Sequence, residues 1–178
     1  MNIAQAIMHL YPQSIPMTDF IVQDDSDGNG PYIAQWNLED PQPTLDDLQS
    51  AWNAMQPTPV QVLNDARTAK INSLNVACNA SILAGFTSDA LGTDNAYDFA
   101  YHDQINLEST FNAISAEIHM DNIKWKASGV PQSHTSEQFK LLYADGLAHK
   151  NANISKYWEL KNAVLSASNA EDISSISW

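Results

Sequence analysis

The stretch "DDSDGNGPYIAQW", Asp24 to Trp36, decides how the N-terminal part of the chain is read. From Asp25 it runs D-S-D-G-N-G, the first half of an EF-hand calcium loop. Such a loop closes with a bidentate Glu at its twelfth position. Counting from Asp25, that position is Trp36, which has no side-chain oxygen. An EF-hand loop must also lead into a helix. Here Tyr32, Ala34 and Trp36 alternate with Ile33, Gln35 and Asn37, the two-residue period of a strand. With "DFIVQDD" on the other side, the stretch reads as a β-hairpin closed by the turn "SDGNG".

Outward from the hairpin, Ile3, Ala6, Ile7 and Leu10 predict a short helix over 2–10, ended by Pro12 and Pro16. On the other side, "PQPTLDDLQSAWNAMQP" predicts a helix with Thr44 as N-cap, Asp46 and Asp47 against its positive end, and Pro57 as its stop. Its apolar face, Leu45, Leu48, Ala51, Trp52 and Met55, is expected to cover the hairpin or to meet a partner. The proline-bearing segment 57–61 is the expected linker between an αββα unit over 1–56 and a second unit over 62–178. Pro59 also suits the first position of a further helix capped by Thr58.

That helix is expected to reach about Ala84, with Gly85 as its stop. Val60, Leu63, Ile71, Leu74, Cys78 and Ile82 form its stripe, and Arg67 interrupts it. The stripe suits either an intramolecular pair of helices or a coiled-coil oligomer. Two short strands around a turn containing Gly92, Asp94 and Asn95 follow, then a helix from about Asp103 to His119. "NIKWKASG" reads as one more strand, ended by Gly129 and Pro131. Thr135 and Gln138 have capping-box spacing before a long helix over Glu137–Ala167, whose middle Gly146 weakens. The tail "NAEDISSISW" adds a short helical turn. The fold class is therefore α+β.

Composition narrows the functional classes. Eight Lys and Arg against 21 Asp and Glu give a net charge of −13, which argues against nucleic acid as a partner. No apolar run approaches the length of a membrane span, and the N-terminus has no basic region before an apolar one, so a soluble protein made in the cytoplasm is expected. The single cysteine, Cys78, lies in an apolar pattern and reads as a buried thiol. None of His9, His102, His119, His134 and His149 forms a metal-ligand pair at one-turn spacing. His102 precedes Asp103, but neighbours on a helix do not face each other. No nucleophile elbow, Walker loop or dinucleotide fingerprint occurs, and Glu108 and Glu117 are isolated acids. No catalytic residue, metal or cofactor is expected, and the chain is not read as an enzyme.

Two resemblances cover most of the chain. Leu10–Trp52 resembles the XkdW family of small proteins from phage and prophage tail-gene clusters. It does so through "LYP", the V-Q-D-D…G-P-Y-I turn, the "WN" after it and "PQPTLDDLQSAW". Its turn is slightly longer than is usual in that family. Ala66–Trp178 resembles a phage-tail domain of unknown function found in fibre-associated genes, through "INSLNVACNASILAGFTSDALG", "YDFAYHDQINL", "SHTSEQF" and "EDISSISW". Its hairpin carries fewer prolines than is usual there.

The resemblance implies a virion-tail location and partners among fibre or baseplate proteins, with Asp103 capping a helix whose buried face starts at Ile105 and Leu107. Under that reading the chain is a structural tail protein, its long helices mediating assembly as a homo-oligomer. A fibre-assembly chaperone is the alternative. A glycan-binding module at the fibre tip is the further one, and it requires exposed Trp125, Trp158 or Trp178. The candidate partner-binding residues are Trp52, Leu63, Ile71, Leu74, Tyr143, Tyr157, Trp158 and Trp178.

Overall fold

The structure, a computed structural model, describes residues 1–118 and 122–178. It is α+β, in the order α1 (Ile3–Leu10), β1 (Phe20–Gln23), β2 (Tyr32–Trp36), α2 (Leu45–Met55), α3 (Pro59–Leu83), β3 (Phe86–Ser88), β4 (Asn95–Tyr97), α4 (Tyr101–Ser115), β5 (Ile123–Ala127), β6 (Val130–His134), α5 (Ser136–Ser166) and α6 (Ala170–Ser175). The strands form three separate antiparallel hairpins. Two compact units divide the chain, Met1–Val62 and Leu63–Trp178. Because α3 already begins at Pro59, only the first residues of the expected linker 57–61 lie outside a helix. The cap there is as expected, since the Thr58 hydroxyl accepts from the Gln61 N–H and the Gln61 side chain accepts from the Thr58 N–H.

In the first unit the turn after β1 leads into β2, with Phe20 opposite Trp36 and a register irregularity between Ile21 and Val22. Its carboxylates are engaged locally: Asp24 accepts the Ser26 N–H, Asp27 the Asn29 N–H, and Asp25 the Tyr32 hydroxyl, each at 2.9 Å. The core is Ile3, Ala6, Ile7, Phe20, Leu48 and Ala51, with Trp36 and Trp52 packed against it. Thr44 and Asp47 form a reciprocal capping box that starts α2. Leu10 and Leu45, expected on the inner faces of their helices, are instead 40% and 68% exposed. Each lies at a helix end, where the packed face runs out.

The second unit buries Phe86, Tyr97, Phe99, Leu107, Ile114, Phe139 and Leu142 in one cluster, and Leu74, Val164 and Ile173 in another. β5 is followed by a strand that the sequence reading missed. Ser128 and Gly129 have φ of +48° and +82°, the left-handed pair that closes a two-residue hairpin. Pro131 therefore sits inside β6, paired with Lys126, rather than ending β5. Ser128 also ties this turn to β4, through its N–H to the Ala96 carbonyl at 2.8 Å.

α4 starts two residues before Asp103, which is the third residue of the helix and not its cap. Its carboxylate accepts the Ala100 N–H at 3.0 Å. Ile105 is 59% exposed, and Leu107 begins the buried face. α4 ends at Ser115, short of the expected His119, which itself lies outside the described residues.

Gly146 is not a weak point of α5 but the site of a close approach. A Cβ there would lie 3.1 Å from both the Phe86 and the Phe99 rings. Both rings are buried and stack edge-on at 5.0 Å, so neither has room to retreat. Gly146→Val is expected to lower unfolding stability by about 1–3 kcal/mol through overpacking, despite valine's better helix propensity. Urea titration of the two proteins checks this; an equal or higher midpoint for the variant would contradict it.

Candidate partner surface

The eight candidate partner-binding residues do not share one surface. Leu74 is 2% exposed and belongs to the core with Val164 and Ile173, so it cannot meet a partner. Leu63, Ile71, Tyr157 and Trp178 pack half-buried against that same cluster. Tyr143 stacks on Phe111 with ring centroids 4.0 Å apart, and Trp52 packs against the core of the first unit. Trp158, at 60% exposure, is the one of the eight that faces solvent. It is also the exposed member of the sugar-stacking trio, since Trp125 and Trp178 pack against the core.

The physical reason is an intramolecular seam. The Cys78 thiol donates to the Asn153 carbonyl at 3.5 Å, and His149 Nε2 lies 3.2 and 3.3 Å from the Ser81 and Ile82 carbonyls. Arg67 Nη2 donates to the Ala167 carbonyl at 2.7 Å. Low numbers on α3 thus meet high numbers at the end of α5, and the two helices run antiparallel. A periodic stripe announces that a helix face is covered, not whether the cover comes from the same chain.

Arg67, read from sequence as an interruption of the stripe, contributes to this seam. The last carbonyls of a helix lack intrahelical donors and carry partial negative charge. Arg67 serves that end of α5. Lys70 does the same for α6, donating to the Ser174 and Ile176 carbonyls at 3.0 and 2.9 Å. Trp178 then donates its indole N–H to Ser81 Oγ at 2.7 Å, with Lys156 Nζ 4.5 Å from its ring centroid. The closing "ISW" is a strap fastened along α3. The signal available in the sequence was two cations on an otherwise apolar helix face.

His134 was not singled out by sequence, yet it is 1% exposed. Its Nδ1 is 3.3 Å from the Gln132 carbonyl and its Nε2 is 3.0 Å from the Tyr97 hydroxyl. A carbonyl only accepts, so Nδ1 carries the proton and the Tyr97 hydroxyl donates to Nε2. Burial lowers the His134 pKa and, with the Asp145 charge, raises that of Tyr97. Both shifts keep the pair neutral.

The sign of the pH effect follows. Above about 6.5, folded and unfolded His134 are both neutral and its bonds contribute in full. As pH falls below that value the unfolded chain takes up a proton that the folded one resists, so stability drops. Urea unfolding at about pH 7.5 and 5.5 should show this drop. It should shrink in His134→Gln, whose amide oxygen can accept the same hydroxyl. An undiminished drop in the variant would refute the assignment.

A small groove beside α4 and α5 is lined by Phe99, Gln104, Leu107, Glu108, Tyr143, Leu147 and Lys150. Its volume of about 60 Å³ is far below that of an ordinary substrate pocket. His102 is exposed at the start of α4. Among the described residues no helix is long and apolar enough to cross a membrane.

Comparison with known proteins places both units. Residues 65–177 match the model of a family described as Domain of unknown function (DUF4376), and the chain belongs to that family. Residues 3–60 match the family model of XkdW protein. The chain is 46% identical over 67 residues to the uncharacterized protein YqcD of Bacillus subtilis (strain 168), covering 35% of this chain and 60% of that one. It is 41% identical over 59 residues to the phage-like element PBSX protein XkdW of the same organism, covering 33% of this chain and 52% of that one. The chain thus spans roughly half of each of these relatives. No solved structure matches it.

Proposed function

We propose that the chain is a phage-associated protein and, more finely, a structural component of the tail in the baseplate–fibre region, where it attaches fibres or supports their assembly. The observation that carries the first statement is the XkdW match over the whole helix–hairpin–helix unit, including a relative from a phage-like element. The tail assignment is supported by the resemblance of the second unit to fibre-associated domains. The fold is consistent with a role played by surfaces: most of the large aromatics pack into or against the cores of the two units.

Its partners on this reading are other tail proteins, and its mode of action is binding without catalysis. Leu74 is unavailable for a homo-oligomer, and the stripe around it is already covered by α5 and α6. Contacts between copies would use exposed positions such as Val76 on α3 or Leu141 and Trp158 on α5.

Deleting the gene from the phage that encodes it tests the proposal. The expected result is filled heads with tails that lack fibres or fail to adsorb. Morphologically normal, fully infectious particles would overturn it.

A further inference from the structure

The turn Ile15-Pro16-Met17 in the first unit exposes apolar side chains that the unit itself does not use. Ile15 is 59% and Met17 75% exposed. Met17 also has φ +67°, a left-handed conformation that disfavours a side chain and that glycine or asparagine occupies most easily. A methionine there adds strain and buries almost nothing inside the chain.

The turn is nonetheless rigidly held. The Asp19 carboxylate accepts the Ile15 N–H at 2.8 Å, and the Ile15 carbonyl accepts the Thr18 and Asp19 N–H groups at 3.2 and 2.9 Å. The Met17 N–H donates to the Phe20 carbonyl at 2.8 Å. From the far side Asn37 donates its side-chain amide to the Thr18 carbonyl and its N–H to the Asp19 carbonyl, at 2.7 and 2.8 Å. Phe20, next in the chain, is 1% exposed and anchors the base. An apolar tip fixed in advance loses little conformational freedom when it docks.

Charge selects the kind of partner. All eight Lys and Arg of the chain lie beyond residue 62, whereas eight of its 21 acids lie within the first 62 residues. The first unit is therefore −8 with no compensating cation. Residues 63–178 hold the remaining 13 acids and the eight cations, for −5. Asp19 lies at the turn itself, and Glu39 and Asp40 come two and three residues after Asn37. Nucleic acid and an anionic lipid surface both meet like charge here, and so would the first unit of a second copy.

We propose that Ile15–Met17 is a preformed docking knob that enters an apolar socket, rimmed by Lys and Arg, on a different protein. The inference goes beyond the tail reading and depends on it only for where the partner is sought.

The test places a photo-crosslinking amino acid at position 15 or 17 of the full chain in cells where the phage is assembling, and maps the cross-linked peptide by mass spectrometry. The expected product joins the turn to one site in another protein, at apolar residues flanked by Lys or Arg. With that protein purified, Met17→Gly should weaken binding at least about tenfold, while raising the melting temperature of the free chain by relieving the turn. Cross-links to a second copy, cross-links to an acidic surface, no cross-link from either position, or unchanged binding by Met17→Gly would each overturn the inference. A basic socket on a protein outside the tail would leave it standing and would count against the tail reading instead.

Discussion

Phe139→Ala should destabilise the second unit by about 3–5 kcal/mol, the range for removing a fully buried ring. Phe139 is 0% exposed and lies one turn into α5, with Trp125 edge-on at 5.2 Å and the His134 ring at 6.3 Å. Three elements therefore meet on it: β5 through Trp125, β6 through His134, and α5 itself. The β5–β6 hairpin cannot collapse onto the cavity without breaking the Tyr97–His134 bond, so little of the loss is recovered. Denaturant unfolding followed by tryptophan fluorescence checks this, because Trp125 reports on the same contact. A loss under about 1 kcal/mol would mean that the ring is not packed as described.

Gly85→Ala should be nearly as severe, at about 3 kcal/mol, for two reasons that act together. Gly85 has φ +95°, which a side chain resists. A Cβ there would also lie 2.5 Å from the Tyr97 carbonyl oxygen, and backbone cannot step aside as a flexible side chain can. The residue links the end of α3 to β3, whose Phe86 pairs with Tyr97. Moving the carbonyl would disturb that pairing and the Tyr97 hydroxyl beyond it. Thermal unfolding of Gly85→Ala beside Gly92→Ala makes the comparison clean. Gly92 shares a positive φ, +87°, but nothing lies within 4 Å of its absent side chain. Equal effects at the two positions would show that the close approach contributes nothing.

Most of the fold was legible because its signals are local. Caps at Thr44, Thr58 and Thr135 follow from short-range hydrogen bonding, and the hairpin at Asp24–Trp36 from a turn between two alternating runs. The ends of α3 and α5 fall within a residue or two of where glycine, proline and capping residues put them. What failed depended on distant partners. Pro131 reads as a strand end until its pairing with Lys126 is known, although Ser128-Gly129 carried the turn signal. Gly146 reads as a helix weakness until Phe86, sixty residues earlier in the chain, is seen against it.

The same limit governed the candidate surface. Leu74, Leu63 and Ile71 have the periodicity of an interface, and they form one, but with α5 and α6 of their own chain. Arg67 and Lys70 were the clue to that closure, since cations on an apolar stripe need acceptors, and the ends of two helices supply them. Exposed apolar residues such as Met17 carry no periodic signal, and only burial and backbone geometry single them out.

The claim that this chain is built into a phage tail is tested most directly by counting it. Quantitative mass spectrometry of purified particles from the encoding phage, referenced to the major tail protein, should find it at a fixed copy number, and a multiple of three or six would support a ring of identical subunits. Its absence from finished particles, with recovery on immature fibres instead, would contradict a structural role and make the chain an assembly chaperone.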